Sequence, residues 1–169
     1  GPLTTSRTVK EAMLRDLGSR DDSFIKIVRS MRARLVALGG VSERDYTAVL
    51  MQGSGTFSLE AVLASTVPRD GAVLVAVNGA YGRRLVHIGE TLGIRMQTVE
   101  FRENEPVSAE QIGRELERDE SITHVSVCHC ETTSGVLNPL EDIGRLVLDA
   151  GRRFFVDAMS SFCAIPINL

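Results

Sequence analysis

Four short segments carry residues whose types and spacing suit chemistry: Gln52-Gly53-Ser54-Gly55-Thr56, Asn78-Gly79-Ala80-Tyr81-Gly82, Glu131-Thr132-Thr133-Ser134-Gly135 and Asp157-Ala158-Met159-Ser160-Ser161. The first runs straight into a helical pattern from Phe57 to Val67. A helix start leaves backbone N–H groups unpaired, with the positive end of the dipole behind them. Small residues let an anion approach that backbone, and Ser54 and Thr56 add hydroxyl donors, so the segment suits a phosphate. The same letters also read as an ordinary strand-to-helix turn with Ser54 or Thr56 as N-cap.

The elements that must position these segments alternate. Apolar runs at 47–51, 72–77, 95–101, 122–129 and 153–157 read as strands, and runs near 56–67, 81–92, 108–119 and 140–150 read as helices. Near-continuous apolar strands such as Ala72-Val73-Leu74-Val75-Ala76-Val77, with helices between them, predict a mostly parallel sheet covered on both faces, a three-layer α/β sandwich. Ligands of such sheets bind at the carboxyl ends of the strands, where all four segments fall. Ser108 with Gln111 forms a capping box, and Asn138-Pro139 places a cap and a first-turn proline before the last helix. Two further helices precede the sheet. One covers residues 6–17 with Ser6 as N-cap, and one begins near Phe24, capped by Ser23 and stopped by Gly39-Gly40. Residues 1–40 therefore read as a helical segment and 41–169 as the sheet-bearing domain. Arg20, in the polar link between the two helices, suits an anionic ligand or a solvated loop.

Collected on one edge, the phosphate cradle, the ring of Tyr81, the hydroxyl of Thr132 and the carboxylate of Asp157 would hold a flat, phosphorylated, nitrogen-containing aromatic ligand. Pyridoxal phosphate has those parts. Its phosphate would meet the N–H groups of Gly55 and Thr56, Tyr81 would lie on the ring, and Thr132 would bond the phenolic oxygen. Asp157 would keep the pyridine nitrogen protonated. Singly, each residue has a plainer role: Tyr81 at a helix start, Thr132 in a turn, Asp157 paired with Arg152.

The 169 residues are 43% hydrophobic and 24% charged, with a formal net charge of −3. That balance offers no basic surface for nucleic acid or an acidic membrane. No apolar run approaches the roughly 18 residues of a membrane span, and the N-terminus lacks the order of a signal peptide, so a cytoplasmic location is expected. A dinucleotide site is disfavoured because Ser58 stands where a third glycine belongs and Asn78 where an acid would hold a ribose; no Gly-Lys-Ser/Thr completes a P-loop. Cys128 and Cys130 face one way along a strand and His129 the other, which does not close a tetrahedral metal site. His87 and His124 show no partner in the sequence and read as surface or core residues.

In order and spacing, the four segments, with the last continued from Val156 to Phe162, resemble class V aminotransferases over essentially the whole chain. Within that class they are most similar to the 2-aminoethylphosphonate–pyruvate transaminases; alanine–glyoxylate and serine-type members share the skeleton and form the alternative. The resemblance implies part of a fold-type I large domain, pyridoxal phosphate as cofactor and a homodimer. It implies an amino group moved from 2-aminoethylphosphonate to pyruvate, giving phosphonoacetaldehyde and alanine in phosphonate degradation. By the same resemblance Ser54, Gly55 and Thr56 bind phosphate, Tyr81 and Met159 pack on the two ring faces, Thr132 and Asp157 take the roles given above, and Thr4, in the opening Gly1–Ser6, lies near the substrate. The family's cofactor-attaching lysine falls beyond the stretch matching Asp157 to Leu169, and the only lysines here are Lys10 and Lys26. The chain, which lacks an initiator Met and ends after an apolar segment, is therefore expected to be an N-terminal portion, inactive alone; a non-catalytic cofactor-binding fragment is the other reading.

Overall fold

The computed structural model describes residues 4–167. Of the segments discussed above, Gly1-Pro2-Leu3 and Asn168-Leu169 lie outside them. The described chain forms two compact units, a smaller one of the residues up to Leu50 and a larger one of Met51–Pro166.

The smaller unit holds α1 (Arg7–Ala12) and α2 (Asp22–Leu38). Ser6 caps α1 as expected, its Oγ accepting from the Val9 N–H. The helix is nevertheless six residues long where 6–17 was expected. None of its residues is buried, so no packed face sustains further turns of a helix that is marginal in water at this length. The N-cap of α2 is Asp21, not Ser23. The Asp21 carboxylate turns back to accept the Gly18 N–H at 2.8 Å, which closes the connecting turn and starts the helix two residues early. Gly39 and Gly40 end α2 as expected.

The larger unit contains α3 (Gly55–Thr66), β1 (Ala72–Val77), α4 (Ala80–Thr91), β2 (Arg95–Glu100), α5 (Ala109–Arg118), β3 (Ile122–Cys128), α6 (Leu140–Asp149) and β4 (Arg153–Asp157). The four strands are all parallel in the order β2-β1-β3-β4. Side chains alternate across β1, so one strand serves two cores. Ala72, Leu74 and Ala76 pack with Ile112 and Leu116 of α5 and Ile143 and Val147 of α6, while Val73, Val75 and Val77 pack with Leu59 and Leu63 of α3 and Leu85 of α4. Every residue of β1 is therefore buried, and the three layers expected from the sequence are present.

The fifth expected strand, 47–51, is not one. The four-strand sheet, β2-β1-β3-β4, does not include it. The backbone there is held by a side chain instead: Arg32 Nε donates to the Ala48 carbonyl at 2.8 Å. Val49, Leu50 and Met51 stay exposed, and α3 is entered from irregular chain, not from a strand.

Candidate functional site

The carboxyl ends of β1, β3 and β4 and the start of α3 supply the site. Ser54 is the N-cap of α3, its Oγ accepting from the Phe57 N–H at 3.4 Å, and the Ser58 N–H reaches the Ser54 carbonyl. Among the described residues the N–H groups of Gly55 and Thr56 have no acceptor, so two donors at the positive end of a twelve-residue helix stay open. A Cβ on Gly55 would lie 2.6 Å from Met159 Cε. The missing side chain thus lets Met159, itself 71% exposed, cross the helix start.

The loop after β1 turns into α4 with Gly79 as N-cap. Tyr81 is half-buried, with the Arg84 guanidinium carbon 4.7 Å from its ring centroid. Arg84 Nη1 also lies 3.5 Å from Thr56 Oγ1, so a cation one helical turn on from Tyr81 reaches the start of α3. The loop after β3 opens with Glu131, a fully buried carboxylate, and is closed by the Gly135 N–H donating to the Glu131 carbonyl at 2.7 Å. Thr132 is exposed on this loop. At the end of β4, Asp157 is half-buried; Oδ1 accepts the Met159 N–H at 3.0 Å, and no hydrogen bond among the described residues reaches Oδ2.

Buried amides and a histidine set these loops in register. Asn138, expected to cap α6, does not: the N-cap of α6 is Pro139 and no side chain caps it. Asn138 is 2% exposed, and its Nδ2 donates to the Cys128 carbonyl at 2.7 Å and to Asn78 Oδ1 at 3.2 Å. Its Oδ1 accepts from Asn78 Nδ2 at 2.9 Å and from the Val107 N–H at 3.0 Å. Four partners outbid one helix cap, and the pair ties the end of β1 to the end of β3. Likewise His129 Nδ1 sits 2.8 Å from Ser161 Oγ, and the His129 N–H donates to the Asp157 carbonyl at 2.9 Å, joining β3 to the Asp157 loop. Burial holds the His129 imidazole below its usual pKa and hence neutral. Burial first, then Asp157 and Glu131, push the Cys128 thiol up to about 12, so it is no nucleophile.

Of the residues singled out from the sequence, Ser54, Gly55, Thr56, Tyr81, Thr132, Asp157 and Met159 all lie in the larger unit, on the loops and helix starts just described. Met159 packs on Gly55, and Thr132 makes no hydrogen bond among the described residues. Thr4 and Arg20 belong to the smaller unit and are exposed. Asn78, His129, Glu131, Ser161 and Arg84 carried no assigned role in the site in the sequence reading, and Asn138 only that of a helix cap; a pattern of polar residues at strand ends was the one signal that pointed toward them. A cavity of about 310 Å³, lined by Thr66, Thr123, His124 and Arg152 among others, lies at the opposite end of the sheet, by the starts of β3 and β4.

The aminotransferase class-V family model matches residues 5–169. The chain belongs to that family. The class V chain is 46% identical over all 169 residues to a 2-aminoethylphosphonate–pyruvate transaminase of Bacillus cereus, and 47% identical to one of Bacillus thuringiensis strain Al Hakam. It covers 49% and 46% of those two proteins, so it spans about half the length of the curated relatives it matches. Among solved structures, an alanine–glyoxylate aminotransferase from Nostoc sp. superposes with a TM-score of 0.89 at 28% identity, covering 99% of the class V chain and 44% of its own. A pyridoxamine-pyruvate aminotransferase from Mesorhizobium loti gives a TM-score of 0.88 at 28% identity, with 99% and 42% covered. The four-strand parallel sheet with helices on both faces is therefore that of these aminotransferases. No helix among the described residues is long and apolar enough to cross a membrane.

Proposed function

We propose that the class V chain carries the cofactor-binding part of a pyridoxal-phosphate-dependent transaminase that moves an amino group from 2-aminoethylphosphonate to pyruvate. The observation that carries this reading is the pairing of open donors with an open acceptor. The Gly55 and Thr56 N–H groups are free at one point of the carboxyl edge, and Asp157 keeps one carboxylate oxygen free at another. An anion and a protonated ring nitrogen at opposite ends of one flat ligand satisfy both. The relatives named for 2-aminoethylphosphonate and pyruvate support the choice of substrates; the alanine–glyoxylate neighbour favours the alternative donor.

When bound, pyridoxal phosphate supplies a cationic pyridine ring that draws electrons from the substrate carbon next to nitrogen. The chain's own residues do the holding. Gly55, Thr56 and the Ser54 hydroxyl would bind the phosphate, Tyr81 and Met159 would hold the ring, and Thr132 would donate to its phenolic oxygen. Asp157 Oδ2 would keep the proton on the ring nitrogen, while its Oδ1, fixed by the Met159 N–H, stops the carboxylate from rotating. The larger unit contains no lysine, and Lys10 and Lys26 lie on α1 and α2. The group that attaches the cofactor and moves the substrate proton must come from elsewhere in a homodimeric, longer protein, and the chain alone does not turn over substrate.

An absorbance titration of the purified chain with pyridoxal phosphate tests the reading. Saturable binding is expected, weakened roughly tenfold or more by Asp157→Asn, the equivalent of about 1.4 kcal/mol for a lost charge-assisted hydrogen bond. Gly55→Asp, which sets a like charge on the cradle, should abolish it. Binding unchanged by both substitutions would sink the assignment of the site.

A further inference from the structure

Four helices, α3 to α6, start at the carboxyl edge of the sheet; α5 and α6 carry acidic side chains in their first turns, Glu110 and Glu141 with Asp142, and of the two starts without one, α3 and α4, only α3 is open. At α3 the Gly55 and Thr56 N–H groups are unpaired. At α4 the Tyr81 N–H lies 3.3 Å from each oxygen of the Glu131 carboxylate. Glu131 is fully buried, and Thr133 donates to its Oε1 through the hydroxyl at 3.0 Å and the backbone N–H at 3.5 Å. A Cβ on Gly79, the N-cap of α4, would fall inside the Glu131 side chain, so the glycine is what lets the carboxylate reach the helix. No cation pairs with Glu131 among the described residues; its charge is met only by these donors and the helix dipole.

We propose that Glu131 is an orientation-determining residue: it fills the anion-binding start of α4 with the chain's own carboxylate, and so leaves α3 as the one start at this edge with no carboxylate in or against its first turn, open to a ligand's phosphate. The inference rests on the reading of α3 as the phosphate cradle. A phosphate at α4 would compete with Glu131 for the Tyr81 N–H and would meet like charge in a buried setting, where water does not screen it. The ligand is thereby held with its phosphate over Gly55 and its ring over Tyr81, never reversed. Glu131 touches no ligand itself; through Tyr81 and the adjoining Thr132 it fixes the two loops that do.

Nuclear magnetic resonance of the 15N-labelled chain titrated with inorganic phosphate separates the outcomes. In the native chain the amide signals of Gly55 and Thr56 should shift and saturate while that of Tyr81 stays still. In Glu131→Gln, Tyr81 should begin to shift with phosphate, and in Glu131→Asp, which keeps the charge, it should not. If the Tyr81 amide of the native chain responds to phosphate, or if Glu131→Gln leaves it silent with Gly55 still responding, the gatekeeping role is wrong. If Gly55 and Thr56 never respond to either phosphate or pyridoxal phosphate, the cradle reading itself fails. Should Glu131→Gln not fold, Gly79→Ala, which forces the carboxylate off the helix, gives the same readout.

Discussion

Asn138 and Gly79 show how much of this site is held by groups that never face it. Removing the Asn138 amide strands a buried Val107 N–H, the Cys128 carbonyl and Asn78 Oδ1 at once, while Asn78 Nδ2 keeps the Glu105 carbonyl. Asn138→Ala should therefore lower stability by about 2–4 kcal/mol, from a desolvation cost of roughly 1–3 kcal/mol per orphaned group with partial relaxation. Urea denaturation monitored by far-ultraviolet circular dichroism measures it, and a loss under about 1 kcal/mol would mean that other groups take over the bonds. In the sequence Asn138 stands beside Pro139 and satisfies the pattern of a helix cap, and that pattern is local. Its four partners come from residues 78, 107 and 128, which only the folded sheet brings together. Ser6 and Ser108, whose partners lie three residues away, cap their helices as their letters indicate. The placement of the candidate residues was legible for the same reason: Gly55, Tyr81, Thr132 and Asp157 each sit at or just past the end of an apolar run. Glu131 stood among them in the sequence, but its role depends on an approach across 50 residues to the Tyr81 N–H.

At the level of elements, β1 is the hinge of the packing, because its two rows of side chains belong to different cores. Leu63 of α3 and Ile112 of α5 lie on opposite sides of it, both essentially inaccessible. Each truncated to alanine should cost about 2–5 kcal/mol. With the sheet between them and no shared neighbour, the double variant should equal the sum of the two within about 0.5 kcal/mol. A larger coupling in a urea-denaturation cycle would show that the two cores communicate through β1. The strands and helices from residue 72 onward were legible because burial on both faces writes an unbroken apolar run, and caps mark the ends. Residues 47–51 carry a similar run without the sheet position to use it. Whether such a run becomes a strand depends on what takes its backbone groups, and here Arg32, sixteen residues before Ala48, takes the Ala48 carbonyl, a partner the run itself does not reveal.

For the whole molecule, the buried histidines make stability depend on pH. His124 is 4% exposed and His129 5%, and burial holds both below the ordinary imidazole pKa, with Arg153 adding to the effect at His124. The unfolded chain binds protons at these positions before the folded one does. Their contribution is thus complete above the unfolded value of 6.5 and falls away as pH drops below it toward the lowered folded values. Thermal unfolding should show a midpoint that declines between pH 7.5 and 5.5, with a slope of at most about 1.4 kcal/mol per pH unit from each histidine. His124→Gln should flatten it. Asp119 works at lower pH: hydrogen bonds from Ser121 and Gln97 pull its carboxyl down to about 2 from 3.8, so what it adds persists at neutral pH and is lost as pH falls through that interval. The raised thiol of Cys128 has another use. At the end of β3, opposite Asp157 of β4, it stays protonated and out of reach, whereas Cys163 is exposed. An alkylating reagent should mark Cys163 at once and Cys128 only when β3 and β4 separate, which turns one native sulfur into a clock for how often the sheet breathes.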